Sequence, residues 1–361
     1  MPDVEAFPHK VWARQLDATA TSATSGMYGH VDPLGWWSLR GAIASHLAIW
    51  RHLPCSASHI VITSGLGEAL GLFAAIALRG GDNVFVEDPG HHVLRSTLRQ
   101  LGMRVTVSRV DQEGFDITRA VRNGADAKAA VVTPSRHFPL GMTLPLSRRL
   151  SLLSWASTSD SYILEDDFDG EFRYQGTPLP AMMSLDSTGC VIYVGSFSKV
   201  MFPGLRLGYM VLPPDLVASA RGYIEASGTR AALVSQPAMA RFIESGGFAT
   251  HLRKMRRLYA ARQACLCTAL TEHASDLFHV YPEQACMHIT ACFTAALQEK
   301  LSDDRAAQLA SARGIDVKAL STYFDQDADL QGLILGYAAF KEDTIRQSVR
   351  TLVAVLRNAI S

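Results

Sequence analysis

Short apolar, β-branched runs alternate with longer stretches of helical periodicity through the middle of the chain: HIVITSG, DNVFVEDPG, AAVVTPS, YILEDDF, VIYVGSF and LGYMVLPP. That alternation predicts parallel strands joined by crossover helices. Each run ends in Gly, Pro, Ser or Asp, and open parallel sheets bind ligands at the carboxyl ends of their strands, so functional residues are expected at these junctions. The pattern changes near residue 240. A long helical segment from Gln236 to Thr271 precedes mixed elements around HVYPEQACMHITACF and GLILGYAAF, which predicts a second, smaller α/β domain. The segment WARQLDA has helical period but no core of its own, so the N-terminal residues are expected to pack back on that second unit. The expected fold is α/β, with a large domain over 26–240, its mostly parallel sheet flanked by helices, and a small α/β domain from 1–25 and 241–361.

Composition changes this picture little. At 361 residues and 48% hydrophobic content the chain can bury such a core. Its 34 basic and 34 acidic residues cancel, leaving no field of one sign to gather nucleic acid or an anionic membrane. The basic stretch HLRKMRRLYAAR reads as a helix with Leu252, Met255, Leu258 and Tyr259 on its buried stripe and its charges largely in solvent. No apolar run approaches a membrane span and MPDVEAFPHK lacks the order of a signal peptide, so the expected location is cytoplasmic. The six cysteines, Cys55, Cys190, Cys265, Cys267, Cys286 and Cys292, have no metal-ligand spacing and read as reduced thiols. A small metabolite is the expected partner, with no metal.

Candidate chemistry concentrates in VIYVGSFSKVMFPGLRLGY, where a strand runs into Ser196, Ser198, Lys199 and Arg206. A lysine just past a buried strand is expected to be partly desolvated, which favours the nucleophilic free amine that forms a Schiff base. Two hydroxyls and an arginine beside it suit a phosphate ester. The competing reading is an ordinary surface loop. In VITSGLGEAL a strand, a glycine turn and a helix aim free N–H groups of Ser64, Gly65, Leu66 and Gly67 at an anion. Taken alone, that turn is also common connective structure.

The motif SFSKVMFPGLRLGY resembles the cofactor-lysine motif of fold-type I aminotransferases that use pyridoxal 5′-phosphate (PLP), most closely the aminotransferase-like domain of MocR-type regulators. The resemblance extends through MYGHVDPLGWWSLRGAI, VITSGLGEAL, VEDPGHH, VVTPSRHFPLGMTLPLSRRL, ILEDDFDGEFRYQGTPLPAM and HLRKMRRLYAAR. It implies that Lys199 carries the PLP Schiff base and is the general base. It also implies that Asp166 pairs with the pyridine nitrogen, that Ser64, Gly65, Leu66, Ser196, Ser198 and Arg206 hold the phosphate, and that His91 stacks on the ring. Tyr28 sits where the family has a tyrosine reaching the neighbouring subunit's phosphate, which implies a homodimer with shared active sites. The regulators' helix-turn-helix domain has no counterpart before Phe7, which makes a stand-alone enzyme the expectation.

Four positions depart from the family pattern. His91 replaces a stacking tyrosine. Phe168 replaces a tyrosine that would bond the cofactor's phenolic oxygen. Ser135-Arg136-His137 replaces Ser-His-Gln, and Ile334 stands where an arginine commonly binds the substrate carboxylate. Three functions follow. The first is an aminotransferase-like enzyme acting on an amino acid or amine. The second is PLP-dependent elimination, γ-replacement or carbon–carbon bond formation in biosynthesis, on a substrate with a leaving group such as S-adenosylmethionine. The third is the PLP-binding sensor domain of a regulator.

Overall fold

The computed structural model describes the chain except residues 24–26, 28, 30–31, 123–125, 169, 174–178, 281–286, 326 and 361. The larger sheet has seven strands: β1 (Ile60–Thr63), β2 (Asn83–Asp88), β3 (Arg104–Arg109), β4 (Ala129–Val132), β5 (Tyr162–Asp167), β6 (Val191–Ser196) and β7 (Gly208–Val211), in the order β1-β7-β6-β5-β4-β2-β3. Six of the seven come from the apolar runs read above, with two differences. Strand β7 is antiparallel to both neighbours. Its connection from β6 holds only the four-residue helix Phe197–Val200 and a short 3₁₀ turn, too little chain for a parallel crossover. Strand β3 carries no such apolar run because it is a sheet edge with mostly half-buried residues, its apolar signal diluted by Arg104, Thr106 and Arg109.

The smaller sheet is antiparallel, formed by β8 (Phe278–Val280), β9 (His288–Phe293), β10 (Lys318–Ala319) and β11 (Gly332–Gly336) in the order β10-β11-β9-β8. The expected long helix is two: Gln236–Glu244 and Gly247–Ala274. The break is Gly246, whose φ of 75° lies in the left-handed region, so Ser-Gly-Gly ends one helix and starts the next. The N-terminal arm packs on both of these helices and on the loop after Lys199: Phe7 meets Phe202, Phe242 and His251, and Arg262 binds Asp3 at 2.7 Å. Arg262 is therefore buried, unlike Arg253, Lys254 and Arg257, which do lie in solvent. Cys55, Cys190, Cys265, Cys267 and Cys292 form no disulfide, while Cys286 lies outside the described residues.

Candidate active site

The junctions at the ends of β1, β5 and β6 converge. Thr63, Gly208 and Ser196 stand side by side on β1, β7 and β6. Directly after Thr63 the chain turns through Gly65, whose φ of 126° is accessible essentially only to glycine, and opens the helix Leu66–Ala77. Nη2 of Arg206 lies 4.0 Å from where a Cβ on Gly65 would stand. A guanidinium thus caps a turn of exposed backbone at a helix N-terminus, an arrangement that suits an anion. Ser198 is tied to Leu207, accepting from its N–H at 3.0 Å and facing its carbonyl at 3.4 Å. Glu68, at the third helical position, accepts the Ser64 N–H at 2.7 Å, so that N–H, expected to be free for an anion, is already bonded. The place of Glu68 in the first helical turn is the sequence sign of that reach.

Lys199 is exposed, contrary to the expected desolvation: its helix is a single four-residue turn, too short to bury the side chain. Burial, and then the charge of nearby Lys199, push the His91 imidazole down to about 4.

Strand β5 delivers three carboxylates, and strand alternation divides them. Glu165 receives the N–H groups of Met182 and Met183, both at 2.8 Å. Asp167, on the same side, is bound by Nε of Arg51 at 3.0 Å and by the Tyr193 hydroxyl at 2.5 Å. Asp166 faces the other side, only 5% exposed. Nearby Glu87, which takes the Thr133 hydroxyl at 2.6 Å, is raised to about 7 by burial and, less strongly, by the Asp166 charge.

The opposite wall is built from distant segments. Phe138 lies 5.2–5.7 Å, centroid to centroid, from the rings of His91, Phe168, His288 and Tyr323. Nη2 of Arg136 is 3.4 Å from Nε2 of His288 on β9. Two residues along β9, and so on the same face, Thr290 sits opposite Ile334 on β11 and donates to the Pro139 carbonyl at 2.7 Å, so Arg136 and Ile334 belong to the same wall. His137 turns away from that wall: its Nε2 meets the Pro89 carbonyl at 3.0 Å, and burial pushes it down to about 3. Tyr28 lies outside the described residues. The groups on β1, β5 and β6 lie in local motifs of the sequence, whereas Arg51, Glu87, Phe138, His288 and Tyr323 join the site without any local signal.

Residues 6–322 match the family of class I and class II aminotransferases. The chain belongs to that family. It is 35% identical over 351 residues to the probable rhizopine catabolism regulatory protein MocR of Rhizobium meliloti, covering 97% of this chain and 70% of that protein. It is 24% identical over 364 residues to aromatic-amino-acid aminotransferase 1 of Thermococcus litoralis, covering 99% and 86%. Among solved structures, kynurenine aminotransferase of Pyrococcus horikoshii superposes with a TM-score of 0.88 at 23% identity, covering 100% of this chain and 90% of that one. LysN of Thermus thermophilus, an α-aminoadipate aminotransferase, gives 0.88 at 22% identity, covering 99% and 91%. The fold is that of the fold-type I aminotransferases, and the cofactor is PLP. The residues present fit it: a lysine amine, a buried carboxylate and an anion cup converge, and the buried atoms Thr63 Oγ1 and His91 Nδ1 find no hydrogen-bond partner among the described residues.

Proposed function

We propose that this class I/II aminotransferase family member is an enzyme that acts on the amino group of an amino acid or amine, with Lys199 and Asp166 as its catalytic residues. The observation that carries the reading is the convergence of Lys199, Asp166 and the Gly65–Arg206 turn at the carboxyl ends of three strands of one sheet. Lys199 would hold the cofactor through Nζ and, as a free amine, would take and return the substrate α-proton. Asp166 keeps a proton on the pyridine nitrogen, so that bound PLP can serve as an electron sink. Ser64, Gly65, Leu66, Ser196, Ser198 and Arg206 would hold the cofactor's phosphate, and His91, held neutral by burial, would offer its imidazole to the ring. Tyr28 completes the phosphate site of the neighbouring subunit in a homodimer.

Ile334 gives the far wall no charge where a simple α-amino acid presents its carboxylate. Of the two cationic candidates nearby, Arg136 stays charged and adjoins Ile334's wall, whereas His137 is neutral and turned away. We therefore assign Arg136 to the substrate's anionic group and expect a substrate bulkier than alanine, or one with a leaving group beyond the α-carbon, on which the same proton abstraction leads to elimination or replacement. The test is a panel of amines and amino acids added to purified protein while the cofactor absorption is followed and products are identified. Binding without turnover across the panel supports a sensor instead, a reading favoured by the likeness to MocR.

A further inference from the structure

Beneath the sheet, on the side away from Asp166, Arg51 occupies a place that the chemistry above does not use. It ends the helix Trp37–Trp50, and its side chain is 2% exposed. One edge of its guanidinium meets Asp167, the last residue of β5, and another meets the Ser135 hydroxyl, in the loop after β4. Its backbone carbonyl accepts the Ala181 N–H at 2.9 Å, so the arginine is fixed from behind as well. Asp167 is held a second time by Tyr193, and Gly170 is required beside it, since a Cβ there would stand 2.3 Å from Oδ1.

The two segments that Arg51 joins are those that deliver the site. Asp167 lies between Asp166 and Phe168 in the chain, and Ser135 directly precedes Arg136, His137 and Phe138. Adjacent strand residues point to opposite faces, so clamping Asp167 below the sheet sets the direction of Asp166 above it. We propose that Arg51 is a positioning residue that, through Asp167 and Ser135, fixes the Asp166 carboxylate and the Arg136–Phe138 loop relative to each other. A planar fork with donors on two edges can hold both acceptors at once. A lysine ammonium, a point charge on a flexible stem, holds one. The inference rests on the proposed role of Asp166.

The test compares wild type with Arg51→Lys, Arg51→Gln and Tyr193→Phe, reading PLP dissociation constant, absorption band of the lysine-linked cofactor and melting temperature. Arg51→Lys and Arg51→Gln are expected to bind PLP about tenfold more weakly, the scale of one lost charge-assisted hydrogen bond, with a displaced band. Tyr193→Phe, which keeps the ion pair but frees Asp167 on one side, should shift the band in the same direction by less. If the variants melt earlier yet bind PLP with unchanged affinity and an unchanged band, Arg51 is only a structural ion-pair partner and the proposal fails. Should the Arg51 variants not fold, Tyr193→Phe decides alone: a displaced band supports the proposal and a wild-type band overturns it. A wild type that never links PLP to Lys199 removes the function reading along with this one, whereas a linked wild type with indifferent variants removes this one only.

Discussion

The two walls of the cleft are built by different means. The wall around Gly65, Ser196, Ser198 and Arg206 is mostly backbone: three strand ends in register, a glycine turn and a helix start, all close to one another along β1, β6 and β7. The wall around Phe138 is made of side chains from segments near residues 91, 138, 168, 288, 323 and 334, drawn from both sheets. Backbone geometry recognises a phosphate whatever the side chains nearby, so that wall can keep the family form. Side-chain surfaces change with single substitutions, and His91, Phe168, Arg136 and Ile334, which depart from the family pattern, all fall on the Phe138 side, while His137 turns away from it.

The comparison breaks first at Lys199. Lys199→Ala should abolish covalent attachment of PLP, read by borohydride reduction and peptide mapping. Attachment at another lysine would show that the cup serves something else. Next comes the adjacent pair on β5. Asp166→Ala should leave the fold in place and cut turnover by roughly a hundredfold or more, the scale of removing one preorganised electrostatic group. Asp167→Ala leaves Arg51 buried without its partner and should cost about 3 kcal/mol in chemical denaturation. A stability loss at Asp166 larger than at Asp167 would reverse the assignment of the two faces.

The substrate wall is sharpened by Ile334. A buried guanidinium–carboxylate contact contributes about 1.5–3 kcal/mol, so its absence should make alanine, aspartate and glutamate roughly ten- to a hundredfold poorer substrates than in a site that has it. Ile334→Arg should raise turnover of these three in steady-state assays. Rapid, saturable transamination of any of them by the wild type would return the protein to ordinary aminotransferases.

The smallest effect concerns pH. His91 and His137 have folded values of about 4 and about 3, below their ordinary 6.5. Between those limits the unfolded chain binds protons that the folded one does not, so their neutral burial favours folding above pH 6.5, and that stability is lost as pH falls toward 4. Glu87 acts oppositely: the folded carboxyl keeps its proton up to about 7 while the unfolded one ionises near 4.5, so its contribution is lost as pH rises through that window. Glu87→Gln removes the opposing group and should steepen the acid-side loss by up to about 1.4 kcal/mol per pH unit, measured by denaturation between pH 4.5 and 6.5. An unchanged slope would mean that Glu87 is ionised in the fold.

Much of the cofactor wall was legible because its signals are local. A continuous apolar run ending in Ser-Phe-Ser-Lys, or in Thr-Ser-Gly before a helix, carries its strand, its turn and its donors within a dozen residues. Alternation along YILEDDF also separates Asp166 from its neighbours by face. Which face meets the cleft depends on Arg51 and Tyr193, which lie far from Asp167 in sequence and bind it only in the folded sheet. The antiparallel course of β7, the exposure of Lys199 and the break at Gly246 were likewise decided by connection length and chain geometry. The sequence alone thus determined the strand–helix alternation and the chemical character of the cofactor end, because short-range order suffices for both. The tertiary structure alone decided which carboxylate is locked below the sheet, that Arg136 rather than His137 adjoins Ile334's wall, and that rings from both sheets meet at Phe138. Each of those depends on contacts between residues remote along the chain, and no local pattern records them.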